Sequence, residues 1–165
     1  MNYQKLLEMQ DKLDTHIMKN HKLQFIKLSK AVLATIIELS EAVNDEQSFK
    51  YWKVNNQPKP TLIEEIADFT HFLTHLSNRF NVTAEDITNR GMIKHKELDE
   101  HFICMFHTLS MIGLYPKGEE KRKHVLILWS LFKGLWEHLG FTENDVFQAY
   151  LKKNKINYER QETNY

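Results

Sequence analysis

Two acidic pairs, Glu38-Leu39-Ser40-Glu41 and Glu65-Ile66-Ala67-Asp68, are the residues of this chain best placed to do chemistry. Side chains three apart on a helix share a face, so each pair would present two carboxylates side by side. Apolar neighbours crowd both pairs: Ala31-Val32-Leu33-Ala34 and Ile36-Ile37 precede the first, and Leu62-Ile63 and Phe69 surround the second. Four carboxylates on a core-facing seam repel one another and lose hydration, which is costly without a counter-charge. A hard divalent cation, Mg²⁺ above all, supplies that charge, and carboxylate-held Mg²⁺ usually also grips substrate phosphates. One such pair is ordinary on a solvated helix face. Two on successive apolar helices predict metal-assisted chemistry on a phosphorylated compound.

The elements that must position these acids read with a helical period almost throughout. Leu6, Leu7, Met9 or Gln10, Leu13 and Ile17 give a first helix. Phe25, Leu28, Val32, Leu33, Ile36 and Leu39 give a second, running to about Asn44. The stretch 45–60 breaks the pattern, and Thr61 after Pro58 and Pro60 can cap the next helix. Leu62, Ile66, Phe69, Phe72, Leu73 and Leu76 form a third helix, with two more at 98–112 and 125–139. An internal echo joins Asn81-Val82-Thr83-x-x-Asp86 to Gly140-Phe141-Thr142-x-x-Asp145: a helix stop, an apolar residue, then a capping-box start. Any carboxylate site belongs to the first half, because 126–137 holds only one acid, Glu137.

Composition bounds the class. Of the 165 residues, 42% are hydrophobic and 27% charged, as expected of one globular domain spanning 1–165. Lys+Arg and Asp+Glu balance at 22 each, so no overall basic field recruits nucleic acid. The lone Cys104 has no disulfide partner within the chain, which fits a reduced, cytoplasmic setting. No run approaches a membrane span, and no signal peptide is expected at the N-terminus. With only five glycines and three prolines, the expected fold class is all-α, a bundle of about five to seven helices.

Two segments add donors. The loop Ser48-Phe49-Lys50-Tyr51-Trp52-Lys53 mixes lysines suited to phosphate with aromatic faces on which a base could stack. The basic, polar end 150–165 carries Lys153, Asn154, Asn157 and Arg160, suited to phosphate oxygens, and residues 153–165 read as a mobile tail.

Together these segments resemble the dimeric, all-α dUTPases of phages and some bacteria, within the all-α nucleoside triphosphate pyrophosphatase superfamily that includes the MazG-type enzymes. The matching segments are Leu7-Glu8-Met9-Gln10-Asp11-Lys12-Leu13-Asp14, the Glu38-x-x-Glu41 pair, the 48–53 loop, Glu64-Glu65-Ile66-Ala67-Asp68 with His71-Phe72, and 150–165. The resemblance implies hydrolysis of dUTP to dUMP and pyrophosphate, which limits uracil incorporation into DNA. It implies Glu38, Glu41, Glu65 and Asp68 as Mg²⁺ ligands, Mn²⁺ being a possible substitute, with Glu41 or Glu38 orienting the attacking water. Gln10 and Asp14 would read the uracil edge, with Phe49 or Trp52 as a wall and His71 close by. Lys53, Lys153, Asn154, Asn157 and Arg160 would hold phosphates, the tail folding over bound nucleotide. A homodimer is implied, and a repressor protein of a mobile element as a further partner. Thr163-Asn164-Tyr165 departs from the family's common glycine before the last tyrosine, and Asp14 stands where some relatives have Asn. The stretch 87–123 carries no family motif and is expected to be a variable or mobile insert.

Three other readings compete. The nearest is a broader dNTP or dCTP pyrophosphatase of the same superfamily. A zinc or di-iron bundle would use His71 and His75, but di-iron bundles need an acid-x-x-His pair on each of two helices, and only Asp68-x-x-His71 is present. A regulatory protein-binding module is the third.

Overall fold

The computed structural model describes residues 1–163, and every regular element among them is helical. In chain order these are α1 (Tyr3–Asn20), α2 (Leu28–Glu46), α3 (Leu62–Arg79), α4 (Ala84–Thr88), α5 (Leu98–Leu114), α6 (Gly118–Leu139) and α7 (Glu143–Glu162). Asn164 and Tyr165, part of the departure from the family's C-terminal pattern, lie outside the described residues.

Helix α3 is the centre, packed against α1, α2, α6 and α7. Its sequence explains this, because nearly every face is apolar or carries a short hydroxyl. Ile66, Phe69, Leu73 and Leu76 are fully buried, and so are Thr70, Thr74 and Ser77. Those three hydroxyls donate to carbonyls four residues back at 2.7–2.8 Å, so their burial leaves no open donor. Ser77 Oγ also accepts from Trp129 Nε1 at 2.8 Å, tying α3 to α6. The aromatic cluster of α6 is core rather than surface: Trp129, Phe132, Leu135 and Trp136 are all buried.

Two expectations change here. The stretch 87–123, read as a possible insert, contains α5, which packs on α2 and α6 and buries Phe102, Met105, Leu109 and Ile112. Their 3-4-3 spacing makes one apolar stripe, so the segment completes the core. Residues 153–162, read as a mobile tail, are the last turns of α7. Val146, Tyr150 and Asn154 recur every four residues and are buried, Tyr150 completely. One apolar stripe on an otherwise polar sequence is enough to dock a helix whose partner face already exists.

Both capping boxes form. Thr83 and Thr142 accept from the Asp86 and Asp145 backbone N–H groups, while those aspartates reach back to the threonine N–H. Gly140 ends α6 at φ +74°, a left-handed conformation suited to glycine. The connection after α2 is fastened by Asp45, a residue the sequence did not single out. Its carboxylate accepts from Lys59 Nζ and Thr61 Oγ1, each at 2.5 Å, so the end of α2 is clamped to the start of α3. That clamp sets the acids of one helix against those of the other.

Candidate active site

Four helices each contribute one stripe to a single cavity of about 620 Å³. From α1 come Gln10, Leu13, Asp14 and Ile17; from α2, Lys30, Ala31, Ala34, Glu38 and Glu41. From α3 come Glu65, Asp68, His71, Phe72 and His75; from α7, Lys153, Asn157, Arg160 and Gln161. Ile26 joins them from the α1–α2 connection, where Arg79 Nη1 donates to its carbonyl at 2.7 Å. Spacings of three, four and seven put each set on one helix face.

The predicted acids meet here. Glu38, Glu65 and Asp68 each offer a carboxylate oxygen within 4.8 Å of the other two, and Glu41 lines the same cavity outside that trio. Crowding shows in their protonation. Burial, then the charges of Asp68, Glu41 and Glu65, push Glu38 up to about 7. Burial, then Asp68 and Glu41, raise Glu65 as well. Asp68 is raised by burial although Lys153 Nζ, paired with it at 2.5 Å, pulls the other way, as does Arg160. A divalent cation held by oxygen ligands relieves this repulsion, so the donor set fits such an ion.

Between α1 and α3 the cavity wall carries a chain of hydrogen bonds. His71 Nδ1 donates to Gln10 Oε1 at 2.7 Å, which also accepts from the Tyr150 hydroxyl at 3.2 Å. Gln10 Nε2 donates to Asp14 Oδ1 at 2.7 Å, and His75 Nδ1 donates to Asp14 Oδ2 at 2.7 Å. The His71 ring stacks on Tyr150 at 4.1 Å. Burial, then the Lys153 charge, lowers His71 to about 3, so it is neutral at physiological pH and Nε2 carries the lone pair. Gln10 and Asp14 thus line the cavity while bonded to the histidines of α3.

Not every expected residue arrives. Phe49, Trp52 and Lys53 are absent from the cavity lining; Phe49 and Trp52 pack edge-to-face at 5.9 Å in an exposed loop, and Lys53 donates to Gln47 at 3.2 Å. The apolar walls are instead Leu13, Ile17, Ile26, Ala34 and Phe72. Asn154 is buried and does not line the cavity, whereas Lys153, Asn157 and Arg160 do line it. Lys30, Phe72, His75 and Gln161 were not assigned to the site by sequence. The available signal was register: Lys30 stands eight residues before Glu38, and Phe72 and His75 stand four and seven after Asp68.

No helix of the described residues is long and apolar enough to cross a membrane. No curated protein matches the chain. A family model described as dUTPase matches residues 2–165, and the chain accordingly belongs to this all-α dUTPase family, whose members are dUTP diphosphatases.

Proposed function

We propose that the cavity binds dUTP with its base between α1 and α3 and its triphosphate over the acids, and that a divalent cation, Mg²⁺ or in its place Mn²⁺, is held by Glu38, Glu65 and Asp68 with Glu41 beside them. The observation that carries this reading is the acidic trio, with its carboxylates within 4.8 Å of each other and its charge partly offset by Lys153, paired with Asp68, and by the charge of Arg160. A bound cation would neutralise phosphate charge and acidify a coordinated water. Glu41, outside the trio, would take the proton of the attacking water. Water adds at phosphorus, the bond between α- and β-phosphates breaks, and dUMP and pyrophosphate leave. Lys153, Asn157 and Arg160 line the cavity together with the acids and would hold phosphate oxygens.

The test is hydrolysis of dUTP, dUDP, dCTP and dTTP by the full chain, with Mg²⁺, Mn²⁺ or a chelator. Metal-dependent release of pyrophosphate with dUTP far ahead supports the reading. Comparable rates on all triphosphates would favour the broader pyrophosphatase, and chelator-resistant hydrolysis would remove the metal. A homodimer is part of the proposal, supported by exposed apolar residues on neighbouring helices: Leu33 (58%) and Ile37 (48%) on α2, Ile103 (66%) and Leu114 (78%) on α5. Light scattering at monomer mass across micromolar concentrations would contradict it. A cytoplasmic site of action matches the half-buried free thiol of Cys104.

A further inference from the structure

A glutamine amide is an ambivalent reader. Turned one way it offers N–H to a carbonyl, as in uracil; turned the other way it offers oxygen to an amino group, as in cytosine. In this chain both ends of the Gln10 amide are dictated. Asp14 accepts but cannot donate, so Nε2 must face it, at 2.7 Å. On the other side Oε1, left by that constraint, accepts from the His71 N–H at 2.7 Å and the Tyr150 O–H at 3.2 Å. The second Nε2 proton of Gln10 has no partner among the described residues and is the donor the network leaves open. Asp14 in turn needs an anchor. His75 Nδ1 supplies it at 2.7 Å on the second carboxylate oxygen, and both side chains are about 15% exposed, which shields the pair from water.

We propose that His75 is a positioning residue that sets base specificity: through Asp14 it locks the Gln10 amide with N–H presented to the base, favouring a carbonyl-bearing pyrimidine over an amino-bearing one. The inference rests on the placement of the dUTP base between α1 and α3. His75 also lines the cavity, and the role assigned to it is exerted through Asp14 and Gln10. Removing it leaves one Asp14 oxygen unpaired, frees the carboxylate to rotate, and lets the Gln10 amide turn over.

The experiment compares kcat and KM for dUTP and dCTP in the full chain, His75→Phe, His75→Gln and Asp14→Ala, with circular dichroism as the folding control. The unsubstituted chain should prefer dUTP. In His75→Phe and Asp14→Ala that preference should shrink about 10-fold or more, the scale of a hydrogen bond to a charged group, through a higher KM for dUTP and a lower one for dCTP. His75→Gln, which keeps an N–H for Asp14, should retain most of it. A merely structural role would lower both substrates together and leave the ratio alone. A second readout needs no nucleotide: the Gln10 side-chain NH₂ signals should be protected from solvent exchange in the parent and lose that protection in His75→Phe. An unchanged ratio in both deletions overturns the inference, as does unchanged Gln10 protection. If the parent shows no preference for dUTP, the substrate reading fails first and the inference with it. If His75→Phe does not fold, Asp14→Ala and His75→Gln decide on the same ratio.

Discussion

Replacing Glu38 by Gln should make the metal-free protein more stable while removing most of its activity. Glu38 ordinarily titrates near 4.5 but in the fold is pushed up to about 7, by burial and then by the charges of Asp68, Glu41 and Glu65. An acid whose folded value is raised holds its proton longer folded than unfolded, so stability falls as pH climbs from 4.5 to 7. At ~1.4 kcal/mol per pH unit, the gap corresponds to about 3 kcal/mol. The group is only half buried, so solvent screening brings the expected penalty above pH 7 to about 1–2 kcal/mol. Gln is nearly isosteric and carries no charge. In chelator at pH 8, urea denaturation should therefore show Glu38→Gln more stable by that amount, the two proteins converging near pH 4.5. Mg²⁺ should stabilise the parent strongly and the variant weakly, and turnover of dUTP by the variant should drop at least ~100-fold, as when a charge-stabilising element is lost. A variant less stable than the parent in chelator at pH 8 would show that Glu38 makes favourable contacts, and the crowding argument would fail.

Lys153→Ala removes the lysine paired with Asp68, so kcat/KM for dUTP should fall about 10- to 100-fold, and apparent Mg²⁺ affinity read by titration should change with it. Truncation before Lys153 removes the last turns of α7 that cover α3, so thermal melting should shift down as well as activity being lost; an unshifted melt would mean those turns add nothing to the fold. Asp45→Asn weakens the clamp on Lys59 and Thr61 and should cost about 1–3 kcal/mol in urea denaturation. Burial raises the Asp45 carboxyl, but its bonds to Lys59 and Thr61 outweigh that and hold it below 3.8. Its contribution is therefore present above that pH and lost in acid, so the gap between parent and variant should close there.

Helix identity and the acids were legible because both follow from local spacing. Glu38, Glu41, Glu65 and Asp68 sit in apolar helical registers, and those registers place them on the cavity-facing sides of α2 and α3. The two capping boxes were legible for the same reason: threonine, aspartate and the three-residue offset are all local. Phe49, Trp52 and Lys53 show where local reasoning stops. Their residue types suit a nucleotide, yet whether a loop reaches a cavity depends on how it is tethered. Here Lys50 Nζ donates to the Asn44 carbonyl and Asn56 Nδ2 to the Lys50 carbonyl, holding the loop on itself at the end of α2. The end of α7 misled in the opposite direction. Its composition is polar, and the buried stripe of Val146, Tyr150 and Asn154 is too thin to declare itself without the α3 face it covers.

That thin stripe joins the two halves of the site. Tyr150 bonds Gln10 on the base side, and Lys153, almost one helical turn later, pairs with Asp68 on the phosphate side. One docked helix thus touches both the polar network that would read the base and the carboxylates that would hold the cation. On α3 the order along the chain is the reverse: Asp68, then His71, then His75, rising about 1.5 Å per residue. The distance from Asp68 to His75 along the axis is therefore about 10 Å, enough to separate a base from the reacting phosphate of one nucleotide. Rigidity between these ends has a direct chemical use, because a triphosphate is attacked at a defined phosphorus only if base and phosphates are held together. The buried apolar face of α3 and the Trp129–Ser77 bond dock that helix from behind, so in the proposed complex it would set the spacing between base and phosphates.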